Sequence, residues 1–121
     1  MDAMDKLSNL LEPYANQTHL ECDGLSRILH SLLENEGIKH TVFVGAVYHY
    51  PSQRKIPVHF WIDLDSGLRI DYRLQMWLGV SADIPNGIFD PKDFTNVCYE
   101  GKVMQMPVLP KSLIDILLMP I

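Results

Sequence analysis

Cysteine is scarce in this chain: Cys22 and Cys98 are the only two among 121 residues. Two cysteines cannot build the disulfide framework of a small secreted scaffold, although one bridge between them stays open. No Cys-x-x-Cys or His-x-x-x-His pair occurs, so the usual ligand spacing of a structural zinc is missing. His30, His40 and His49 show no spacing that converges on an ion. His19 and Cys22, three apart, with His59 as a third ligand, are the one metal alternative. The expectation is no metal and no cofactor. Basic runs are also lacking, and the formal net charge is −5, which argues against sequence-independent nucleic-acid binding. No apolar run reaches the ~20 residues that span a bilayer. The start, Met1-Asp2-Ala3-Met4-Asp5, is acidic and amphipathic rather than signal-like. Repeats, linkers and low-complexity segments are absent. Together these features predict a cytoplasmic domain with no nucleic-acid or membrane partner. They leave the oligomeric state open.

What is present is an ordinary core composition, 47% hydrophobic and 21% charged, fitting a single domain over residues 1–121. Residues 1–14 read as an amphipathic helix with Met4, Leu7, Leu10, Leu11 and Tyr14 on one face, ended or kinked at Pro13. A polar connection follows, containing Gln17 and His19. Next comes Glu21-Cys22-Asp23-Gly24-Leu25, and behind it Leu25, Ile28, Leu29, Leu32 and Leu33 recur at helical spacing. This predicts a helix to about Glu36, with Gly37 as its stop. Cys22 lies three residues before Leu25, on the same apolar stripe. It sits near the unpaired N–H groups of the helix start, a setting that nucleophilic cysteines occupy. The plainer reading of Cys22 is a small buried apolar residue. A capping box between Thr18 and Glu21 would instead place Cys22 one turn inside the helix.

Thr41 to Tyr50, rich in β-branched and aromatic residues and apolar on both faces, predicts a central strand. Ile56, Val58, Phe60, Ile62 and Leu64 then alternate with Pro57, His59, Trp61 and Asp63. After Asp65-Ser66-Gly67, Leu68, Ile70 and Tyr72 alternate with Arg69, Asp71 and Arg73. This is a hairpin, and its register can be argued. A three-residue loop with Gly67 in the left-handed region pairs Leu64 with Leu68, Ile62 with Ile70 and Phe60 with Tyr72. The apolar residues then share one face, and Asp71 lies opposite Trp61 and diagonal to His59. A two-residue loop would put Asp71 on the apolar face, so the hydrophobic pattern chooses the register. Diagonal neighbours lie ~7 Å apart at the backbone, within reach of an imidazole–carboxylate hydrogen bond. Leu74 to Gly79 reads as a turn of helix or a strand end, and Val80 to Asp93 as loop. Val97 to Met106 has strand character interrupted at Glu100-Gly101, and Lys111 to Met119 reads as a short helix.

A cysteine at a helix start, a histidine on a strand and an aspartate on the paired strand are the parts of a Cys-His-Asp triad. A thiolate attacks a carbonyl, the imidazole shuttles the proton, and the carboxylate holds the imidazole tautomer. Asp63, on the same face, and Asp65, a turn residue, are the rivals of Asp71. Cys98, in a strand without a His or Asp pattern, reads as structural.

Glu21-Cys22-Asp23-Gly24-Leu25-Ser26, with Leu29, Leu32-Leu33, Gly37-Ile38 and Gly45, resembles the cysteine-helix segment of the transglutaminase-like superfamily. His59-Phe60-Trp61 is similar to that group's His-x-Trp strand, and Ile70-Asp71-Tyr72 to the strand that delivers its aspartate. The resemblance covers roughly residues 17–73, about half the chain. It implies an α+β fold with a papain-like core, a Cys-bearing helix packed on a small, mostly antiparallel sheet. It also implies catalysis by Cys22, His59 and Asp71. In papain-like sites an upstream glutamine or similar donor helps bind the oxyanion, a role that falls to Gln17 or His19. Trp61, Tyr72 and Trp77 are candidate pocket walls, each with a core role as the commoner reading. The expected function is a small thiol hydrolase or acyltransferase acting on an amide or thioester. Its substrate would be a peptide or protein, or a small acyl donor. The alternative, from another class, is a non-catalytic relative that uses the cleft to grip a protein or ligand.

Overall fold

The computed structural model describes residues 3–119. In chain order the elements are α1 (Ala3–Ala15), α2 (Cys22–Asn35), β1 (His40–His49), β2 (Arg54–Leu64), β3 (Arg69–Asp71), α3 (Leu74–Leu78), β4 (Gly87–Phe89), a 3₁₀ turn (Pro91–Asp93), β5 (Val97–Val103) and α4 (Lys111–Leu118). Among the described residues this is an α+β fold of four α-helices and one five-stranded sheet. Its order is β4-β3-β2-β1-β5 and every neighbouring pair is antiparallel. No helix among the described residues is long and apolar enough to cross a membrane.

The first two residues of the expected N-terminal helix lie outside the described residues. Pro13 does not end α1, which runs to Ala15 and buries that residue. A proline so near a helix end removes one backbone donor, and the turn closes through Asn16 N–H to Glu12 O at 2.9 Å. α1 and α2 cover one face of the sheet. There Leu11, Leu25, Ile28, Leu29 and Leu33 pack with Val42, Ile62, Leu64 and Ile70. Each such side chain contributes roughly 1.5–3 kcal/mol on burial. The other face holds a second apolar cluster of Val47, Ile56, Trp61, Leu74, Leu78 and Ile84. The sheet curls around this second face. Phe89 on edge strand β4 and Tyr99 on edge strand β5 have ring centroids only 6.5 Å apart.

The hairpin register is the expected one near the turn, although β3 ends at Asp71, before the expected Phe60–Tyr72 pair. Ile62 pairs with Ile70 and Asp63 with Arg69. Leu64 N–H donates to Leu68 O at 2.8 Å, and Gly67 takes φ 97, which a side chain would disfavour. The apolar alternation on β2 nevertheless fails at its start. Ile56 packs on the Trp61 face, and Val58 is 64% exposed. The cause is a β-bulge: Gly45 pairs with His59 but Val47 with Ile56, so Pro57 and Val58 together oppose Ala46. Pro57 has no N–H for the ladder, and one extra residue inverts the facing of everything before it.

Two further segments differ from the sequence reading, and for a third, Leu74 to Gly79, the helix is the alternative observed. The 80–93 run contains β4, which pairs with β3 through Arg69–Phe89, Ile70–Ile88 and Asp71–Gly87. Leu74–Leu78 is helical. β5 passes through Glu100-Gly101 without interruption. Gly101 is there because the Trp61 ring lies over it: a Cβ on Gly101 would sit 2.6 Å from that ring.

Candidate active site

α2 begins at Cys22. Its N-cap is Glu21, in extended conformation and without a side-chain capping bond, so the Thr18–Glu21 box is not formed. Cys22 is therefore the first helical residue, and it is half-buried. The N–H groups of Cys22 and Asp23 belong to the first turn, which has no intrahelical acceptors.

His59 projects from β2 into the curled face and is completely buried. Its Nε2–H donates to Asp71 Oδ2 at 2.8 Å. Asp71, at the end of β3, accepts from three donors. Oδ2 also accepts from Tyr99 O–H at 2.8 Å, and Oδ1 accepts from Arg73 N–H at 3.0 Å. The other ring nitrogen of His59, Nδ1, is buried with no hydrogen-bond partner among the described residues. Burial acts to lower the His59 pKa. The hydrogen bond to Asp71 and then the proximity of the Cys22 thiol outweigh it and raise the value from 6.5 to about 9. The buried carboxylate thus holds Nε2 and favours the protonated ring. Tyr99 is pushed far up, first by burial and then by the Asp71 charge, so its hydroxyl stays a donor. In the serine-protease template the carboxylate binds Nδ1 and the nucleophile meets Nε2. Here the ring is turned the other way: Nε2 meets the carboxylate and Nδ1 is left without a partner.

Arg73 fixes the geometry around this pair. Its buried guanidinium donates to Leu20 O (2.6 Å), Gln17 O (2.9 Å) and Tyr72 O (3.0 Å). Burial lowers its pKa, and the nearby Asp71 and Cys22 act against that. The connection leading into α2 is thereby tied to the end of β3.

The structure brings Cys22, His59 and Asp71 together, and Tyr72 lines the same narrow cleft as Cys22, Phe60 and Arg73. That cleft amounts to about 10 Å³, room for one water. The remaining candidates are placed elsewhere. Gln17 Nε2 donates to Pro13 O at 3.3 Å, and His19 Nε2 donates to Leu117 O at 3.1 Å. Both side chains are therefore committed to neighbouring helices. Trp77 is 44% exposed and lines a separate groove with Arg54, Pro57 and Val58. Trp61 is a wall of the curled face, stacked on Phe43 at 5.9 Å and edge-on to Tyr99 at 4.8 Å. Asp63 is held by Arg69 through two bonds of 2.6 and 3.0 Å, which leaves Asp71 as the carboxylate on His59. Cys98 lies on β5, its Sγ 3.9 Å from Glu100 Oε1.

A second histidine–carboxylate pair, His49 Nε2 to Asp83 Oδ2 at 2.8 Å, has Ser52 Oγ on Nδ1 at 2.7 Å. Ser52 also accepts from Arg54 N–H, and Asp83 from Ser81 and Asn96, so this group pins the hairpin end to the loop before β4. Two contributors to the site were not found from sequence. Arg73 shares the parity of Asp71 in the alternating run of the sequence, which was the available signal, although β3 itself ends at Asp71. Tyr99 carried none, because its reach to Asp71 depends on the curl of the sheet. Comparison with protein-family models, with curated proteins and with solved structures gives no match for this chain.

Proposed function

We propose that this protein is a cysteine-dependent hydrolase or acyltransferase built on a transglutaminase-like, papain-like core. Cys22 is its nucleophile, His59 its acid–base and Asp71 the group that holds the imidazole. The observation that supports this reading most strongly is the state of His59. It is buried, Nε2 is locked to Asp71, and Nδ1 has no partner although the Cys22 thiol stands close enough to raise its pKa. A merely structural buried histidine has both nitrogens satisfied.

With the thiol proton already on His59 Nδ1, the Cys22 sulfur adds as thiolate to the carbonyl carbon of an amide or thioester. The carbonyl oxygen gains negative charge, and the N–H groups of Cys22 and Asp23 at the helix start are the donors available to it. His59 Nδ1–H then protonates the leaving amine or thiol, leaving an S-acyl Cys22. Water or an amine gives its proton to Nδ1, attacks that thioester, and releases the Cys22 thiolate, which restores the starting pair. Asp71 keeps Nε2 as the donor side throughout, so Nδ1 remains the working nitrogen. A peptide or protein amide is the proposed substrate class.

The test is covalent trapping. Activated esters and thioesters should leave a mass adduct on Cys22, and iodoacetamide should alkylate Cys22 faster than Cys98 in the folded protein. Cys22→Ser should fold and carry no adduct there. If the whole panel leaves Cys22 unmodified and alkylation favours Cys98, the thiol is not activated. Reversible ligand binding unchanged by Cys22→Ser would then favour a binding module.

A further inference from the structure

Outside that site, His30 and His40 face each other in an arrangement that needs a positive centre. His30 is on α2 and His40 opens β1. Their rings lie edge to face, with His30 Nδ1 only 2.7 Å from His40 Nε2. The outer nitrogens are both committed. His30 Nε2 lies 2.9 Å from Met106 O, and His40 Nδ1 lies 2.7 Å from Ile38 O. A carbonyl oxygen only accepts, so both outer nitrogens carry the ring proton. In the neutral rings the two inner nitrogens therefore point lone pairs at each other. Glu34, one turn after His30 on the same helix face, brings Oε1 to 4.0 Å from His40 Nε2. The three ligand atoms lie within 4.8 Å of one another.

We propose that His30 Nδ1, His40 Nε2 and the Glu34 carboxylate bind a divalent ion of the zinc class. Two imidazoles and a carboxylate are a donor set such ions take, and three protein ligands leave a fourth position for water or an exogenous ligand. The outer contacts match what metal-binding histidines require, since a backbone carbonyl on the far nitrogen fixes both tautomer and ring direction. Access is available: the His40 side chain is 1% exposed but Glu34 is 50% exposed, so an ion enters past a half-exposed carboxylate. Two nitrogens at 2.0–2.1 Å from a tetrahedral ion stand about 3.3 Å apart, so binding opens the histidine pair by about half an ångström. The bound ion would clamp α2 to the start of β1 and, through Met106, to the strand-like run after β5. Neither Cys22 nor His59 takes part.

The test uses the full chain with Co²⁺ as a visible probe and Zn²⁺ as competitor. One Co²⁺ per chain should give the d–d bands of a four-coordinate N/O site, without a thiolate charge-transfer band, and Zn²⁺ should abolish them. Zn²⁺ should also raise the thermal midpoint. Glu34→Gln, at a half-exposed position that leaves the fold intact, should weaken binding about tenfold or more, as should His40→Gln. Cys22→Ser should bind as the wild type does. The proposal fails if the folded wild type gives no bands at millimolar Co²⁺, meaning that a shared proton alone joins the rings. It also fails if Glu34→Gln binds unchanged, or if Cys22→Ser abolishes binding.

Discussion

Replacing Asp71 by Asn removes the charge that His59 leans on while keeping the shape of the side chain. The carboxylate accepts three bonds, from His59 Nε2–H, Tyr99 O–H and Arg73 N–H. An amide offers one acceptor oxygen and one NH₂. If the oxygen faces Arg73, the NH₂ faces His59, and the imidazole keeps a bond only by moving its proton to Nδ1. That tautomer has no lone pair for the Cys22 proton, and the serine-protease analogue of this change costs ~10⁴ in rate. The same substitution has a signature in stability. His59 stands at about 9 in the folded protein against 6.5 ordinarily, chiefly because Asp71 outweighs the effect of burial. A raised folded pKa stabilises fully below pH 6.5, and that stabilisation is lost as pH rises through about 9. Its size, at ~1.4 kcal/mol per tenfold change in acidity, is about 3 kcal/mol. Asp71→Asn should therefore destabilise more at pH 6 than at pH 9.5, the difference approaching that amount. Urea unfolding of both proteins at the two pH values measures it. Equal losses at both pH values would refute the assignment of the raised pKa to Asp71. Asp63→Asn, which breaks only the Arg69 pair, is the matched control and should leave the pH dependence intact.

Tyr99→Phe removes one of the two donors to Asp71 Oδ2 and should cost ~1.5–3 kcal/mol in the same assay, the range for a hydrogen bond to a charged group. A wild-type stability for that variant would mean that the hydroxyl contributes nothing in solution. Gly101→Ala drives a methyl group against the Trp61 ring and the Val44 carbonyl, each 2.6 Å from the added carbon, and should cost ~1–3 kcal/mol by thermal unfolding. An unchanged melting midpoint would show that β5 can move away from the ring.

The sequence made some of this geometry legible for definite reasons. Parity carried the hairpin, because a one-residue slip would have sent Asp71 to the apolar face, and the His59–Asp71 bond followed from that parity alone. The same rule misplaced Ile56, since a bulge at Pro57-Val58 resets parity, and the proline was its only local sign. β4 was hidden because three residues in a Pro-, Asn- and Gly-rich run carry no period, and only pairing with β3 makes them a strand. His30 and His40 were set aside for want of a spacing. They converge because α2 and β1 pack across a short turn, a tertiary fact that separation along the chain does not encode. Gln17 was assigned by analogy of position, and the local bond to Pro13 O decided its direction instead.

Cys22 and Asp71 sit on elements that share no regular hydrogen bonding, so something must set their spacing. Packing of α2 on the sheet fixes the helix axis but tolerates sliding along it, and a slide of one residue is 1.5 Å, half the length of a hydrogen bond. Arg73 removes that freedom. Its backbone N–H holds Asp71 Oδ1, while its guanidinium holds the carbonyls of Gln17 and Leu20 immediately before α2. One residue thus grips the carboxylate with its main chain and the approach to the thiol with its side chain. A planar fork of fixed donors suits this task, because three carbonyls in set directions define its orientation, whereas a lysine ammonium would fix only a distance. The cost is a buried cation, offset by the carbonyl dipoles and by the proximity of Asp71. The accuracy of the thiol–imidazole–carboxylate array therefore rests on Arg73 as much as on the three residues that compose it.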